Sequence, residues 1–162
     1  TVNDVSLECS LCSPVVTLNG TDVTDEIRSE RVSLASSKIA KYSLVRKRLV
    51  DFQRKFARGH GLIADGRDMG SVIFPSADLK IFLTASVKVR ANRRYKELIA
   101  RGENVSLRDL ESLIALRDKG DRERKVSPLI AGEGAIVIDA SEKSVNEVKK
   151  EIIHFFDLIP KV

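Results

Sequence analysis

Aromatic side chains are scarce in this sequence: they make up 5% of 162 residues, and tryptophan is absent. Proteins that bind single-stranded nucleic acid stack its bases on aromatic platforms. That mode of binding has little to work with here, and no helix-turn-helix signature takes its place. No run of eighteen apolar residues occurs and the start does not resemble a signal peptide, so no membrane span is expected and a soluble, cytoplasmic protein is the default. Cysteine is limited to Cys9 and Cys12, and histidine to His60 and His154. Structural zinc takes four ligands. A lone C-x-x-C and two distant, unpaired histidines do not assemble them, so no residue is assigned to a metal and the cysteines are read as small buried hydrophobes. His60, between Gly59 and Gly61, belongs to a turn, and His154 to a late helix with a structural role.

What is present fits one globular domain with a small appendage: 43% of the residues are hydrophobic and 31% charged. The net charge of +5 favours an anionic ligand. Arginines gather between Arg90 and Arg101 and between Arg117 and Lys125. Such clusters serve the phosphates of a mononucleotide or the backbone of a nucleic acid, and the aromatic content makes the second the weaker choice. No internal repeat or low-complexity segment stands out.

Periodicity gives a coarse layout. Val15-Val16-Thr17-Leu18 and Val23-Thr24 flank Asn19-Gly20-Thr21-Asp22, a hairpin signal that puts antiparallel strands near the amino terminus. Leu44, Val45, Leu49, Phe52 and Phe56 recur at helical spacing behind Ser43, which predicts a helix over 44–57 with Ser43 as its cap and Arg46, Arg48 and Lys55 on its polar face. Three later apolar runs, Leu62-Ile63-Ala64, Lys80-Ile81-Phe82-Leu83 and Ala135-Ile136-Val137-Ile138, alternate with helical stretches, the pattern of parallel strands with crossover helices. Ser86 precedes a helix over 87–100 that Arg101-Gly102 ends. Ser106 with Asp109 and Ser144 with Glu147 each set a capping residue three before an acid, so helices start near 107 and 145. The last one turns Val145, Val148, Ile152, Phe155 and Phe156 towards the sheet.

Three motifs carry the chemistry. Gly61-Leu62-Ile63-Ala64-Asp65-Gly66-Arg67-Asp68-Met69-Gly70 is a buried strand ending in two carboxylates, an arginine and two glycines. Open α/β sheets bind ligands at such carboxyl ends. Arg67 is able to fork onto a phosphate and Asp68 to accept hydrogen bonds from an amino group; the bland alternative is that Asp68 caps a turn. The second motif is Arg117-Asp118-Lys119-Gly120-Asp121-Arg122-Glu123-Arg124, followed by Pro128-Leu129. Its spacing puts Arg117, Asp121 and Arg124 on one helical face if the segment stays helical, although Gly120 is expected to interrupt it. The third is Ser36-Ser37 followed by Val45-Arg46.

In chain order, with the third piece before the other two, they resemble the bacterial cytidylate kinases, whose signatures are GLIADGRDMG and RDxxDxxR…PL; the likeness runs from about Val15 to about Phe156. It implies a P-loop nucleoside-monophosphate kinase-like α/β fold, a parallel sheet with flanking helices and a small antiparallel acceptor-binding insert. Residues 1–60 would hold the acceptor-binding region, and 61–162 the kinase core with a lid at about 90–128. The resemblance further implies transfer of the γ-phosphoryl of ATP, with Mg²⁺, to CMP or dCMP. Ser37, Arg46 and Asp68 match base-reading positions. Arg67, Arg117 and Arg124 match positions that hold the acceptor's phosphate and the migrating group. Asp121 matches a contact to the ribose hydroxyls, and Arg94 a catalytic lid arginine; Arg90 is read as a surface residue. Asp65 either orients Arg67 through an ion pair or holds a water on Mg²⁺. The complete protein is expected to be a monomer, and neither membrane nor nucleic acid is expected as a partner.

A kinase of this kind is expected to open with a strand and G-x-x-x-x-G-K-[ST], whose amides and lysine cradle the donor's phosphates. The 162 residues contain no such motif and start with threonine, which suits a trimmed or proteolysed product in which first strand and P-loop are missing and which is inactive or nearly so alone. The strand before the P-loop lies between those expected at Leu62–Asp65 and Lys80–Thr84. These two are then expected to pair abnormally, to meet another polypeptide, or to come from a longer chain. A non-catalytic module for pyrimidine nucleotides and a basic RNA-associated domain are the alternatives.

Overall fold

The computed structural model describes residues 5–9, 14–57 and 61–160, and the chain separates into two compact units, Thr1–Leu62 and Ile63–Val162. In the first unit, β1 (Val5–Cys9), β2 (Pro14–Leu18) and β3 (Thr21–Asp22) form an antiparallel meander, with Val5 opposite Leu18 and Thr17 opposite Asp22. Asn19 and Gly20 turn the β2–β3 hairpin with φ of 52° and 78°. Two successive positive values are what a tight turn matched to the strand twist needs, and Asn-Gly is the pair that adopts them at least cost. Cys12 and His60 lie outside the described residues.

Two helices follow. α1 (Glu30–Ile39) starts behind Ser29, whose hydroxyl accepts from the Val32 amide, and α2 (Ser43–Arg54) starts behind Tyr42. Ser43 is therefore the first residue of α2 and not its cap. Tyr42 holds the extended conformation of a cap (ψ 115°) without a side-chain bond to the helix amides. Phe52 and Phe56, one turn apart, meet edge to face with centroids 5.2 Å apart, whereas Leu44 on the predicted apolar stripe is exposed.

In the second unit, β4 (Ile81–Thr84) and β5 (Ile136–Asp139) pair in parallel, with Ile81 opposite Ile136 and Thr84 opposite Asp139. The crossover between them is the helical hairpin α3 (Val87–Ala100) and α4 (Leu107–Glu123), and α5 (Val145–Asp157) follows β5. Ala91 and Leu98 of α3 are buried with Leu110 of α4, and Tyr95, Val105, Leu107 and Ile114 pack around them. Serines cap all three helices as the sequence predicts: Ser86 accepts from Val89, Ser106 from Asp109 and Ser144 from Glu147.

Four expectations fail here for physical reasons. Leu62–Asp65 is not a strand: it pairs with no other strand among the described residues, Ile63 is fully exposed, and an apolar run without a ladder partner lacks the hydrogen bonds that define a strand. The expected abnormal pairing with β4 is thus absent, and among the described residues β4 pairs only with β5. Gly120 does not interrupt α4, which continues to Glu123; the tertiary contacts of the flanking residues override its propensity cost of about 1 kcal/mol. On α5, Val148, Ile152 and Phe155 are half-buried at i, i+4 and i+7, while Val145 in the first turn and Phe156, 100° round the helix from Phe155, are exposed.

The α5 capping box is complete. The Glu147 carboxylate accepts from the Ser144 amide at 2.8 Å and from its hydroxyl at 2.7 Å. These bonds hold the Glu147 carboxyl below its ordinary range, the Ser144 hydroxyl first and its amide second. A carboxyl lowered by folding adds stability above its unfolded pKa and loses it as the pH falls through the folded one. Ser144→Ala is expected to cost about 1 kcal/mol at neutral pH. The difference from the unmodified chain should shrink in urea unfolding curves taken at pH values below the ordinary carboxylate range.

Candidate functional site

The site begins where α4 ends. Its buried stripe is apolar in the first half, at Leu110 and Ile114, and acidic in the second, at Asp118 and Asp121. Charged groups removed from water need compensation, and arginines from three segments supply it. Asp121 is 3% exposed. Its Oδ2 lies 3.5 Å from Arg67 Nε and 3.9 Å from Arg117 Nε, and its Oδ1 lies 3.5 Å from Arg124 Nη1. Arg124, at the C-cap of α4, is almost as buried as Asp121, and its Nε donates to the Ser127 carbonyl at 2.5 Å. The Leu129 amide donates to the Asp121 carbonyl at 2.8 Å, folding 124–129 back on the helix end.

Three guanidinium groups thus share one carboxylate. The separations exceed the 2.7–2.9 Å of charge-assisted hydrogen bonds. Asp121 Oδ2 and Arg124 Nη2 are buried without a hydrogen-bond partner. The cluster keeps an excess of two positive charges and spare donors, which suits an oxyanion with several oxygens.

The structure brings together Arg67, Arg117, Asp121 and Arg124 among the residues singled out from the sequence. Arg67 forms its ion pair with Asp121 and not with Asp65, because the side chain turns towards α4. Asp65 and Arg67 line a cleft of about 180 Å³ with Ser71, the residues of β4, Arg90 and Asp118. Asp68 is buried, precedes the π-helical turn Met69–Ile73 and is not among the residues lining that cleft. Arg94 Nη1 bonds to Glu97 Oε2 at 2.9 Å, one turn along α3. In the first unit, Arg46 of α2 donates to the Ala40 carbonyl at the end of α1 at 3.4 Å, and Ser37 lies one turn before that carbonyl.

Sequence reasoning placed Arg90 on the surface; it is instead a strut. Its Nε donates to the Ala85 carbonyl at 2.9 Å, Nη1 to Asp118 Oδ1 at 2.9 Å, and Nη2 to Asp118 Oδ2. Arg93, one turn along, donates to the Ala140 carbonyl at 2.7 Å. The one available signal was that Arg90 precedes Ala91 on the buried face of α3. The carboxyl ends of the strands are tied as well. The Ser86 amide donates to Ser141 Oγ, which donates to Asp139 Oδ1 at 2.6 Å. The Ser141 hydroxyl first, and then its amide, hold the Asp139 carboxyl below the ordinary range.

No group of three potential metal ligands occurs among the described residues, and no helix among them is long and apolar enough to cross a membrane.

Comparison with known proteins gives the family. The cytidylate kinase family model matches residues 2–158. A cytidylate kinase of Dichelobacter nodosus is 47% identical over 147 residues, covering 88% of this chain and 66% of its own length. One of Nitrosococcus oceani is 47% identical over 138 residues, covering 85% and 61%. One of Nitrosomonas europaea is 43% identical over 150 residues, covering 93% and 67%. The chain therefore spans about two thirds of the length of the curated relatives it matches, and over nearly all of its own length it belongs to the cytidylate kinase family.

Proposed function

We propose that this chain binds CMP or dCMP and the transferring phosphoryl group in a cytidylate kinase, which converts ATP and CMP or dCMP into ADP and CDP or dCDP. The observation that carries the proposal is the buried carboxylate Asp121 with three arginines around it and donors to spare. Phosphoryl transfer spreads negative charge over equatorial oxygens, and preorganised cations aimed at that charge supply much of the rate. Arg67, Arg117 and Arg124 take the acceptor's phosphate and the migrating group, Asp121 turns to the ribose hydroxyls, and Arg94 joins from the lid. Attack is direct and in line, without a covalent intermediate. Ser37 and Arg46 of residues 1–60, and Asp68 of residues 61–162, keep the base-reading roles that the family resemblance gives them, and about 90–128 act as lid.

Mg²⁺ in such enzymes rests on one or two carboxylates and chiefly on substrate phosphates. The residues suit that mode: Asp118 is committed to Arg90, which leaves Asp65, exposed at the cleft, to hold the ion or its water. When bound, the ion neutralises charge on the donor phosphates. The enzyme is a cytoplasmic monomer acting on small molecules.

Calorimetric titration of the chain tests base selectivity. Cytosine offers an amino donor where uracil offers an acceptor, so CMP is expected to bind at least about tenfold more tightly than UMP. Equal affinities would exclude a cytosine site.

A further inference from the structure

We infer that Arg90 and Asp118 are positioning residues that set the rotation of α4 and thereby aim Arg117, Asp121 and Arg124 at Arg67. The inference rests on the phosphate-binding role proposed above for that arginine cluster and adds two residues of the cleft wall that act through it.

The geometry is that of a bracket. Arg90 grips the Ala85 carbonyl, the backbone that follows β4, through Nε, and it grips both oxygens of Asp118 through its two terminal nitrogens. A planar fork bound at three points permits one orientation, which a lysine ammonium does not fix. Asp118 is 6% exposed and the Arg90 side chain 29%, so the carboxylate is shielded from water and the pair is screened less than one on the open surface. Asp118 adjoins Arg117 and stands three residues before Asp121, about 60° away on the helix; turning α4 by about 20° would sweep a group about 6 Å from the axis through about 2 Å. That is enough to break the contacts of 3.5–3.9 Å around Asp121. The apolar packing of α3 against α4 runs from Leu98 and Leu110 to Ala91, the residue after Arg90, and Ile114, one turn before Asp118. Apolar contacts are non-directional; the directed bonds at the charged end are those of the strut, and they select the rotation.

Asp118→Asn keeps size and shape but replaces one acceptor by an amide donor facing a guanidinium donor. Arg90→Lys keeps the charge and loses the fork. The test follows the arginine ¹⁵Nε–¹Hε resonances of the full chain by NMR while CMP or cytidine is titrated in, with thermal unfolding as the check on folding. In both variants the Arg67, Arg117 and Arg124 signals are expected to shift, and CMP affinity to fall about tenfold, with cytidine affinity unchanged. Lys149→Gln on α5 is expected to change neither. A folded Asp118→Asn or Arg90→Lys chain whose arginine signals and CMP affinity match the unmodified chain overturns the inference. Arg117→Gln separates the two levels: if it leaves CMP affinity intact, the phosphate role of the cluster is wrong, while the arginine signals of the strut variants still report whether the strut aims the cluster.

Discussion

Asp121→Ala is expected to destabilise the chain by about 3 kcal/mol, because removing one partner of a buried ion pair leaves an uncompensated charge. Most of that cost falls on Arg124, whose side chain is 6% exposed, while Arg67 and Arg117 are 40% and 32% exposed and turn to solvent. Urea unfolding should show a lower midpoint with little change in slope, since the surface exposed on unfolding is nearly the same. Inorganic phosphate should restore part of the loss. A ligand that binds only the folded state stabilises in proportion to its affinity, and three arginines without their carboxylate bind an anion more tightly. A loss below about 0.5 kcal/mol, the scale of an exposed pair, would mean that water already compensates the cluster.

The same charge balance explains what the sequence disclosed of the site. Arg117, Asp121 and Arg124 were legible because a helix repeats every 3.6 residues, so four and then three steps return to one face. The caps at Ser86, Ser106 and Ser144 were legible because the capping bond is local, between a hydroxyl and an amide three residues on. Arg90 was misread because its partners, Ala85 aside, lie 28 residues away on α4, and no local pattern marks the helix that will face it. Leu62–Asp65 was misread for a related reason: its composition suits a strand, but a strand exists only with its neighbour. Asp68 is buried and directly precedes Met69–Ile73, a π-helical turn that no residue pattern announces.

Close backbone approach gives the other large effect. A Cβ on Gly132 would stand 2.5 Å from the Gly70 carbonyl oxygen and 2.9 Å from its carbon. Both are backbone atoms, which cannot swing aside as a flexible side chain does. Gly132→Ala must therefore push Gly70 and Ser71 away, and Arg67 stands three residues before Gly70. Overpacking of this kind costs about 2 kcal/mol, and a displacement of about 1 Å in a positioning element lowers binding or rate by as much as a hundredfold. Gly132→Ala is expected to lower the urea midpoint and to weaken CMP binding at least about tenfold by calorimetry. Gly120→Ala is the opposite case: nothing lies within 4 Å of its added Cβ, the position is inside α4, and alanine should stabilise by about 0.5–1 kcal/mol. If Gly132→Ala retained both stability and CMP affinity, the 66–71 loop would be free to shift without carrying Arg67 with it. The cluster would then owe its geometry to α4 alone.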